Sequence, residues 1–487
     1  MGALDKPAMV AIDLGAESCR VSLLKASGGE FQLQLVHRAA NGPISTDAGL
    51  VWDFDRMFKD VMEGLRKCAA LAPEGIASIG VDGWAIDYVR LGEDGKAMAK
   101  PFCYRDERSV AAMAELHQRI SPRRLYDLTG AQVLRINTIY QLYADNLRGL
   151  PVRYPWMNLP EYMLYCLGGR PVSEYTNATH TQMLGVESKR WCPEIFAAAE
   201  LPLASAPRVV PPGTDVGQLT GPLQMLKPYR KTRLIAPACH DTASAVAGIP
   251  ALGDDWAFIS LGTWSLVGTV VDRPYAGEES FAKNFTNQGG IGNKTYLLKN
   301  VNGMWMLRQC MDRWQQQGVE WDVGGLVAAS DSLPPPDYLI DVDDPDLLLP
   351  GAMPERINAQ LLRNGFPALD EDPAQAPRYA SLIFHSLATR YAEVLNSLST
   401  ITGKQFARLF IVGGGARNSQ LRRLVAAATG LEVVQGSAES STIGNFAIQL
   451  AAMDAASDGV GVEAPTVAQW AAVLARNEIP AEPAPAK

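Results

Sequence analysis

Residues 235–248 read IAPACHDTASAVAG, and they place three reactive side chains, Cys239, His240 and Asp241, next to each other among small apolar residues. These residue types could form a cysteine nucleophile with its base and acid, a metal site, or a site that needs only one of the three. Neighbouring residues of an extended chain point to opposite faces, so consecutive residues rarely converge on one substrate atom. A cysteine nucleophile also takes its histidine and its acid from distant positions in the sequence. The pattern therefore argues against a catalytic triad and leaves open which residue acts.

The composition limits the class of protein and its partners. The chain has 487 residues, too many for one hydrophobic core, and a net charge of -8, which argues against nucleic acid or an acidic membrane as the main partner. Local backbone amides and a metal ion could still hold an anionic small ligand. The seven cysteines form no CxxC pair and the five histidines no HxxxH pair, so we expect reduced thiols and no dedicated zinc site. Without a signal-peptide pattern or a membrane-length apolar run, a cytoplasmic protein is expected.

Strand and helix patterns alternate along the chain. Residues 9–12 predict a strand that ends at Asp13 and a glycine turn, and residues 76–92 predict a single later strand. In the second half, a long amphipathic helix precedes the strand ARLFIV and a helix that ends at Gly430. This alternation predicts an α/β protein whose sheets contain parallel strands. The terminal EIPAEPAPAK predicts a disordered tail.

One short pattern occurs twice. MVAIDLGAESCRVSLL (residues 9–24) and WAFISLGTWSLVGTVV (residues 256–271) share a strand, a Leu-Gly turn with a small residue and a serine, and a second strand. Each copy lies near the start of one half of the chain. The repeat predicts two domains that are built alike, each beginning with a strand–turn–strand hairpin.

The glycine turns have a chemical interpretation and a structural one. A glycine turn after a strand can offer several backbone N–H groups to phosphate oxygens, and Asp13 at the strand end could hold Mg²⁺ through water. Alone, Asp13-Leu14-Gly15 could equally be an ordinary hairpin turn. The three glycines of IVGGGARNS (Gly413–Gly415) allow close approach of a flat or anionic ligand, although they match neither the dinucleotide fingerprint nor a P-loop.

Several polar stretches allow two interpretations. DGWAIDYV combines Asp82, Trp84 and Asp87, which suits sugar hydroxyls and ring faces, but a strand with one core tryptophan fits equally. EYTNATHTQ (residues 174–182) and the amide-rich NQGG and KNVNG could bind a polyol or form solvated loops, and the loop interpretation is slightly favoured. His240 alone is more often structural, and Cys239 more often a small buried residue.

Taken together, these motifs carry a family resemblance. IDLGAESCR, GVDGWAID, YRDERS, NTIYQL, EYTNATHTQ, CHDTASA, ISLGTWS, LKNVNGMW and FIVGGGARNSQL follow the order found in the FGGY carbohydrate kinases, over residues 9–452. Within that family they resemble the L-rhamnulose kinases most. The resemblance implies a two-domain actin/hexokinase-like (ribonuclease H-like) α/β fold with an interdomain cleft for ATP, Mg²⁺ and a sugar. It implies an N-terminal domain at 1–245, a nucleotide-binding domain at 246–455, an extension at 456–487, and a monomer or homodimer.

The resemblance also assigns roles to residues of this chain. It makes Asp241 the general base and places Asp13 near the metal. With the DGWAID motif included, the expected sugar-contacting residues are Trp84, Ala85, Asp87, His240, Thr242 and Asn300. The expected cofactor-contacting residues are Gly15, Ala16, Glu17, Ser18, Cys19, Arg20, Gly262, Thr263, Arg308, Gly413, Gly414, Gly415 and Asn418.

Three residues depart from the family pattern. Cys19 and Ala85 stand where glycine is usual, which puts a Cβ beside the phosphates and the sugar, and Arg308 stands where glutamine is common. The expected activity is transfer of the ATP γ-phosphoryl group to O1 of L-rhamnulose. L-Fuculose or another ketose or polyol is the alternative substrate, and a catalytically weak sugar-sensing protein is the alternative function. A chaperone-type ATPase of the same fold would need a large appended binding domain, and none is visible in the sequence.

Overall fold

The computed structural model describes residues 7–27, 30–458 and 462–476. Two compact units are distinguished: the first contains Met1–Leu252, Val271–Leu297 and Glu439–Lys487, and the second contains Gly253–Val270 and Leu298–Ala438. The domain borders expected from the resemblance stay a prediction. The predicted tail at residues 478–487 lies outside the described residues. Among the described residues, no helix is both long enough and apolar enough to cross a membrane.

The secondary structure alternates as the sequence predicted. The strands are β1 Ala8–Leu14, β2 Ser18–Ser27, β3 Glu30–Ala40, β4 Pro43–Thr46, β5 Gly49–Trp52, β6 Ile76–Gly83, β7 Tyr88–Arg90, β8 Trp156–Asn158, β9 Val172–Glu174, β10 Arg208–Val210, β11 Thr214–Gln218, β12 Arg233–Ala236, β13 Trp256–Leu261, β14 Trp264–Val271, β15 Thr286–Gly289, β16 Thr295–Asn302, β17 Arg408–Val412 and β18 Glu432–Gln435. The helices are α1 Phe54–Leu71, α2 Arg108–Arg119, α3 Pro122–Thr129, α4 Thr138–Leu147, α5 Leu159–Cys166, α6 Tyr175–Thr179, α7 Pro193–Ala198, α8 Asp241–Ala247, α9 Glu278–Ala282, α10 Trp305–Gln316, α11 Val323–Asp331, α12 Met353–Arg363, α13 Ala376–Thr402, α14 Ser419–Thr429, α15 Ser440–Asp458 and α16 Ala464–Leu474.

The first unit is built on a mixed sheet with the strand order β11–β12–β6–β1–β2–β3. β1, β2 and β3 pair antiparallel, whereas β1, β6 and β12 run parallel. Every residue of β1 is buried, as expected for a central strand that is covered on both faces. Parallel strands end at one edge of a sheet, so the residues that follow β1, β6 and β12 lie close together. We call this the acidic edge, because it carries Asp13, Asp82 and Asp241.

Helices cover the faces of this sheet. α1 places Met57, Val61, Leu65 and Cys68 at helical spacing, and all four side chains are buried. α15 packs on β1 and β6, and its Asn445 and Gln449 are fully buried in spite of their polar side chains. Those two amides are hydrogen-bonded to the sheet, as buried polar groups require.

The second unit contains a similar arrangement. Five strands lie in the order β16–β14–β13–β17–β18, with β13 antiparallel to β14 and parallel to β17. The β13–β14 hairpin corresponds to the β1–β2 hairpin of the first unit, and each first strand has a parallel neighbour on its other side. The sequence repeat is therefore also a structural repeat.

The prediction of one strand over residues 76–92 is wrong. The chain leaves the sheet after Gly83, and Ile86 adopts a positive φ of 75° before β7 begins. The turn is held from both sides: the Trp84 backbone N–H donates to the Leu14 carbonyl, and the Asp87 carboxylate accepts a hydrogen bond from the Trp84 indole. One of these two hydrogen bonds comes from Leu14, 70 positions earlier, so hydrophobic patterning alone could not reveal the break.

Candidate active site

The strand pairing brings the acids of the first unit together. Asp13 and Asp82 are direct neighbours across β1 and β6, and Arg20 lies opposite Asp13 across β1 and β2. A bridge between Gly83 and His240 places the start of α8, and therefore Asp241, at the same edge. The sequence predicted sites at Asp13 and Asp241, and the topology adds Asp82 to them.

Asp13 is held by two partners. Its Oδ2 accepts hydrogen bonds from Arg20 Nη1 at 2.9 Å and from Ser441 Oγ at 3.0 Å. The negative charge of Asp13 raises the pKa of the Arg20 guanidinium above its usual value. Arg20, expected at the phosphates, thus lies beside the carboxylate expected at the metal.

Asp82 is fully buried, and only one of its two carboxylate oxygens has a hydrogen-bond partner in the described structure. Its Oδ2 accepts a hydrogen bond from Asn445 Nδ2 at 2.6 Å, whereas its Oδ1 has no partner in the described structure. Burial, and next the charge of Asp13, raise the pKa of Asp82 well above its usual value. A buried carboxylate oxygen without a partner is costly unless a cation or a proton satisfies it.

These acids fit a magnesium ion that keeps most of its water. Within the described residues, no three His, Cys, Asp or Glu side chains form a ready metal cluster. Mg²⁺ in phosphoryl-transfer sites uses only one or two carboxylates together with phosphate oxygens and water. The free Oδ1 of Asp82 beside Asp13 is suitable for that role, whereas the sequence pointed to Asp13 alone. The signal was present, because Asp13 and Asp82 both stand at the end of an apolar strand.

Asp241 is the first residue of α8 and about a third of its side chain is exposed (34%). Its Oδ1 accepts hydrogen bonds from the Thr242 backbone N–H at 2.5 Å and from Thr242 Oγ1 at 3.3 Å. Partial burial, and next the charge of Asp13, raise the pKa of Asp241 to about 7. A carboxylate with that pKa and an accessible face can accept a proton near neutral pH.

His240 is a neutral orienting group. Burial, and next the neighbouring His180, lower its pKa well below the usual value. Its Nδ1 lies 2.8 Å from Gln288 Nε2, and its Nε2 lies 3.3 Å from Asp241 Oδ1. Since the Gln288 amide donates to Nδ1 in this orientation, the ring proton is on Nε2 and faces Asp241.

Two polar side chains beside His240 were not predicted as site residues. The His180 ring packs edge-on against His240 with centroids 4.3 Å apart, and burial lowers the pKa of His180 to about 4. His180 Nε2 and Gln288 Oε1 are buried polar atoms without a partner in the described structure. His180 lies in the polar stretch EYTNATHTQ and Gln288 lies in NQGG. The composition of these stretches did not single out either residue.

Buried glutamates fix the backbone that carries His240 and Asp241. Glu174 accepts hydrogen bonds from the Cys239 N–H at 2.8 Å, the Thr176 N–H at 3.0 Å and Thr176 Oγ1 at 2.5 Å. Glu161 in turn accepts the Glu174 N–H at 3.0 Å. Both glutamates are almost fully buried, which raises the pKa of Glu161 to about 7 and that of Glu174 to about 8. The solvated-loop interpretation is therefore wrong for residues 174–177.

Replacing Glu174 by glutamine is expected to lower kcat by about 10–100-fold, with little change in the KM for ATP. In either orientation of the new amide, its NH₂ faces the N–H of Cys239 or of Thr176, so one buried donor loses its acceptor. The loop before Asp241 then shifts. Steady-state kinetics test this, with Thr176→Ser as the control because it keeps the hydroxyl that Glu174 contacts. A kcat within about twofold of the wild-type value would contradict the positioning role.

Cys239 itself is a packing residue. Its side chain has no exposed surface, and burial raises the pKa of its thiol well above the usual value. A thiol of that kind is inert, which excludes the cysteine-nucleophile interpretation.

The Trp84–Asp87 turn has a structural role. Asp87 is fully buried and accepts hydrogen bonds from the indoles of Trp52 and Trp84, at 2.6 and 3.0 Å, and from Gln141 Nε2 at 3.0 Å. Ala85 is also buried. Direct sugar contacts by Trp84, Ala85 and Asp87 stay a prediction, and the observed contacts give Asp87 the task of holding Trp84.

The first glycine turn is tight and braced. The Gly15 N–H donates to the Ser18 carbonyl at 3.1 Å, and Asn41 Nδ2 donates to the Gly15 carbonyl at 2.9 Å. Ala16 is half-buried and Glu17 is exposed. The Cys19 side chain lies in the hydrophobic core, and burial raises the pKa of its thiol to about 12. At this position of β2 the side chain points into the core, and a phosphate contact by Cys19 stays a prediction.

The second unit brings its glycine motifs together. The Gly262 and Thr263 carbonyls accept the N–H groups of Met304 and Trp305, both at 3.2 Å, which braces the β13–β14 turn. Gly413 has a φ of 86°, and a Cβ there would lie 2.8 Å from the Leu261 carbonyl oxygen. A Cβ on Gly415 would overlap the Leu261 side chain, while Gly414 has open space. The glycines thus allow the Gly413–Gly415 segment to lie against the Gly262 turn.

The remaining predicted residues also lie in the second unit. Asn418 caps α14 through its Oδ1, and its buried Nδ2 has no partner in the described structure. Arg308 lies on α10, with a side chain that is 60% exposed and paired with Asp312 at 3.0 Å. Asn300 lies in β16 and is half-buried. Nucleotide and sugar contacts by these residues stay a prediction.

Comparison with known proteins agrees with this geometry. The N-terminal domain of the FGGY family of carbohydrate kinases matches residues 8–248, and the C-terminal domain matches residues 257–453. A curated protein named rhamnulokinase, from Bacteroides thetaiotaomicron, is 36% identical over 457 residues, which cover 93% of this chain and 92% of that protein.

Solved structures support the fold. A ligand-bound xylulose kinase from Lactobacillus acidophilus aligns with a TM-score of 0.76 and 17% identity, over 96% of this chain and 92% of that one. A Plasmodium falciparum glycerol kinase with ADP aligns with a TM-score of 0.73 and 11% identity, also over 96% and 92%. The architecture is the actin/hexokinase-like fold. With both domains matched and the rhamnulokinase related over nearly its full length, the chain belongs to the FGGY family of carbohydrate kinases.

Proposed function

We propose that this sugar kinase transfers the γ-phosphoryl group of ATP to O1 of the ketose L-rhamnulose, with Asp241 as the general base. The observation that carries the proposal is Asp241 itself, an accessible carboxylate at the acidic edge whose pKa is raised to about 7. The name of the curated relative supports the substrate. L-Fuculose or another ketose is the alternative.

The chemistry that this chain must supply is limited. Phosphoryl transfer requires in-line positioning, neutralisation of charge and an acceptor for the hydroxyl proton. In the proposed mechanism Asp241 takes that proton from the sugar hydroxyl at its free oxygen, while Thr242 holds Oδ1. His240 stays neutral and directs its Nε2–H towards Asp241, which opposes rotation of the carboxylate.

ATP is the proposed phosphoryl donor. The ADP in the glycerol kinase structure supports a nucleotide cofactor. In the second unit, the nucleotide contacts would come from Gly413–Gly415 and the Gly262 turn. Asp13 and Asp82 would hold Mg²⁺, which when bound neutralises phosphate charge. The free Nδ2 of Asn418 and the accessible Gly414 are consistent with a polar ligand at that place.

The substrate assignment is tested by an ATP-coupled assay with L-rhamnulose, L-fuculose, L-xylulose, L-ribulose and glycerol. We expect L-rhamnulose to give a kcat/KM at least about tenfold above each other compound, because one well-placed contact discriminates by that amount. The assay is run with the Asp241→Asn variant as a blank. A preference for L-fuculose or glycerol would contradict L-rhamnulose as the substrate. Sugar binding without turnover of any compound would favour a sensing protein.

A further inference from the structure

The first unit contains a cavity of about 600 Å³ at the sheet edge opposite the acidic edge. It opens where the parallel strands β6 and β12 begin, at Ile76 and Arg233. Asp82 lies six residues along β6 from Ile76, so the cavity is roughly 20 Å from the acids at about 3.3 Å per residue. Its lining includes Ser78 of β6 and the cationic residues Lys227, Arg230, Lys231 and Arg233.

Positive side chains outnumber the acidic ones in the lining of this cavity. Lys227, Arg230 and Lys231 are exposed, and within the described chain none of them forms an ion pair. The two lining acids already have cationic partners: Asp215 contacts Arg233 at 2.7 and 2.8 Å, and Glu74 lies 3.9 Å from Lys25. Three unpaired cations therefore lie within five residues of sequence, although the chain has a net charge of -8. They favour an anion, because each would gain a partner without losing one.

Part of the cavity lining is apolar. Pro7, Ile76, Ala452 and Met453 contribute to it, the last two from α15. A volume of this size lies within the usual range for small-molecule sites, about 300–1,000 Å³. Apolar lining together with several cations suits a small molecule that has a carbon body and one or more phosphate groups.

Buried hydrogen bonds connect this cavity to the acidic edge. Ser78 lines the cavity and donates to Gln449 Oε1 at 2.6 Å, and Gln449 Nε2 donates to Asn445 Oδ1 at 2.7 Å. Asn445 donates to Asp82, and Ser441 of the same helix donates to Asp13. α15 therefore carries cavity-lining residues at one end and partners of both acids at the other.

We infer that this cavity binds a small phosphorylated metabolite and that its occupation changes turnover at the acidic edge through α15. The regulatory half rests on the proposed kinase activity. A shift of α15 would move Asn445 and Ser441, and with them the hydrogen bonds to Asp82 and Asp13. The triple variant Lys227→Gln, Arg230→Gln, Lys231→Gln removes the cations and leaves every hydrogen bond of that path in place.

The test uses calorimetric titration of the full chain with D-fructose 1-phosphate, a ketose 1-phosphate, and separately with inorganic phosphate, at fixed ionic strength. We expect the triple variant to bind the ester at least about tenfold more weakly than the wild type. The matched control is Lys59→Gln, Lys96→Gln, Arg208→Gln, which removes the same charge from exposed positions outside the cavity and is expected to bind like the wild type. Binding at the acidic edge is common to all three proteins and cancels in the comparison.

The outcomes separate the two halves of the proposal. Equal affinity in the wild type and the triple variant, or an equal loss in both triple variants, would overturn the cavity site. Tight binding of inorganic phosphate alone would overturn a metabolite as the ligand. Binding of the ester that leaves wild-type turnover unchanged would overturn the coupling through α15. The basal turnover of the triple variant is expected to be normal, so failure of this inference is distinguishable from failure of the proposed function.

Discussion

Replacing Asp241 by asparagine is expected to lower kcat by about 10²–10⁴-fold, the usual contribution of a general base, while sugar affinity stays within about threefold. The side-chain amide oxygen of asparagine can still accept the Thr242 N–H, so the local fold is retained. What is lost is the oxygen that takes the hydroxyl proton. Steady-state kinetics and sugar titration measure the two quantities separately. Asp254→Asn, which changes an exposed carboxylate, serves as the control.

The pH profile of the wild-type enzyme gives an independent check. The base acts only when it is ionised, and its pKa is raised to about 7 in the free protein. We therefore expect kcat/KM to fall about tenfold per pH unit on the acid side. The midpoint should lie at or below 7, because a bound cation would lower the raised pKa. The Asp241→Asn variant should lack this acid limb. A variant that retains the limb, or that turns over at a near-normal rate, would disprove the assignment of the base.

Replacing Asp82 by asparagine is expected to raise the Mg²⁺ concentration for half-maximal rate at least about tenfold and to lower kcat by about 10²-fold. Asp82 offers a buried carboxylate oxygen that has no partner in the described structure, directly beside Asp13. Asparagine keeps the volume and the contact to Asn445 but cannot supply the negative charge. Magnesium titrations of the rate measure the effect.

Thermal unfolding distinguishes this effect from damage to the fold. Because the folded state raises the pKa of Asp82, ionising this carboxyl costs stability as pH rises above about 4, its unfolded value, towards the raised one. The neutral asparagine avoids that cost, so the variant should unfold at the same temperature as the wild type or a higher one at pH 7. A lower unfolding temperature together with a normal magnesium requirement would show that Asp82 is structural only.

Local pattern was sufficient for some features and not for others. The strand endings and the repeated glycine turn are formed by a few consecutive residues, so an α/β protein with two similar domains and a candidate site at Asp13 could be predicted from them. The choice of Asp241 within CHDTASA came from the family resemblance. The residues that contact these two acids could not be predicted in this way. Asp82 gains its importance from Asp13, which is 69 positions earlier, and from Asn445, which is 363 positions later.

Separation in sequence also explains why Glu174 and Gln288, which support the site, were not predicted. Glu174 contacts Cys239 across 65 positions, and Gln288 contacts His240 across 48. A polar stretch such as EYTNATHTQ has the same composition whether it is solvated or buried. Only the fold decides between these, since burial of Glu174, Thr176 and Asn177 depends on donors supplied by other segments.

The return of α15 to the first unit also has a consequence for biosynthesis. The Val10 carbonyl receives its hydrogen bond from Gln449, which is made 439 residues later. Asp82 receives its hydrogen bond from Asn445. At about 5–20 residues per second, the ribosome needs roughly 20–70 s to travel from Asp82 to Asn445. During that time the sheet lacks its closing helix and, until β11 and β12 have been made, two of its strands as well. Amide and carboxyl groups that are buried in the finished protein stay accessible to solvent. The nascent chain therefore passes through a prolonged unfinished state, and a product that stops before residue 440 never completes its first folding unit.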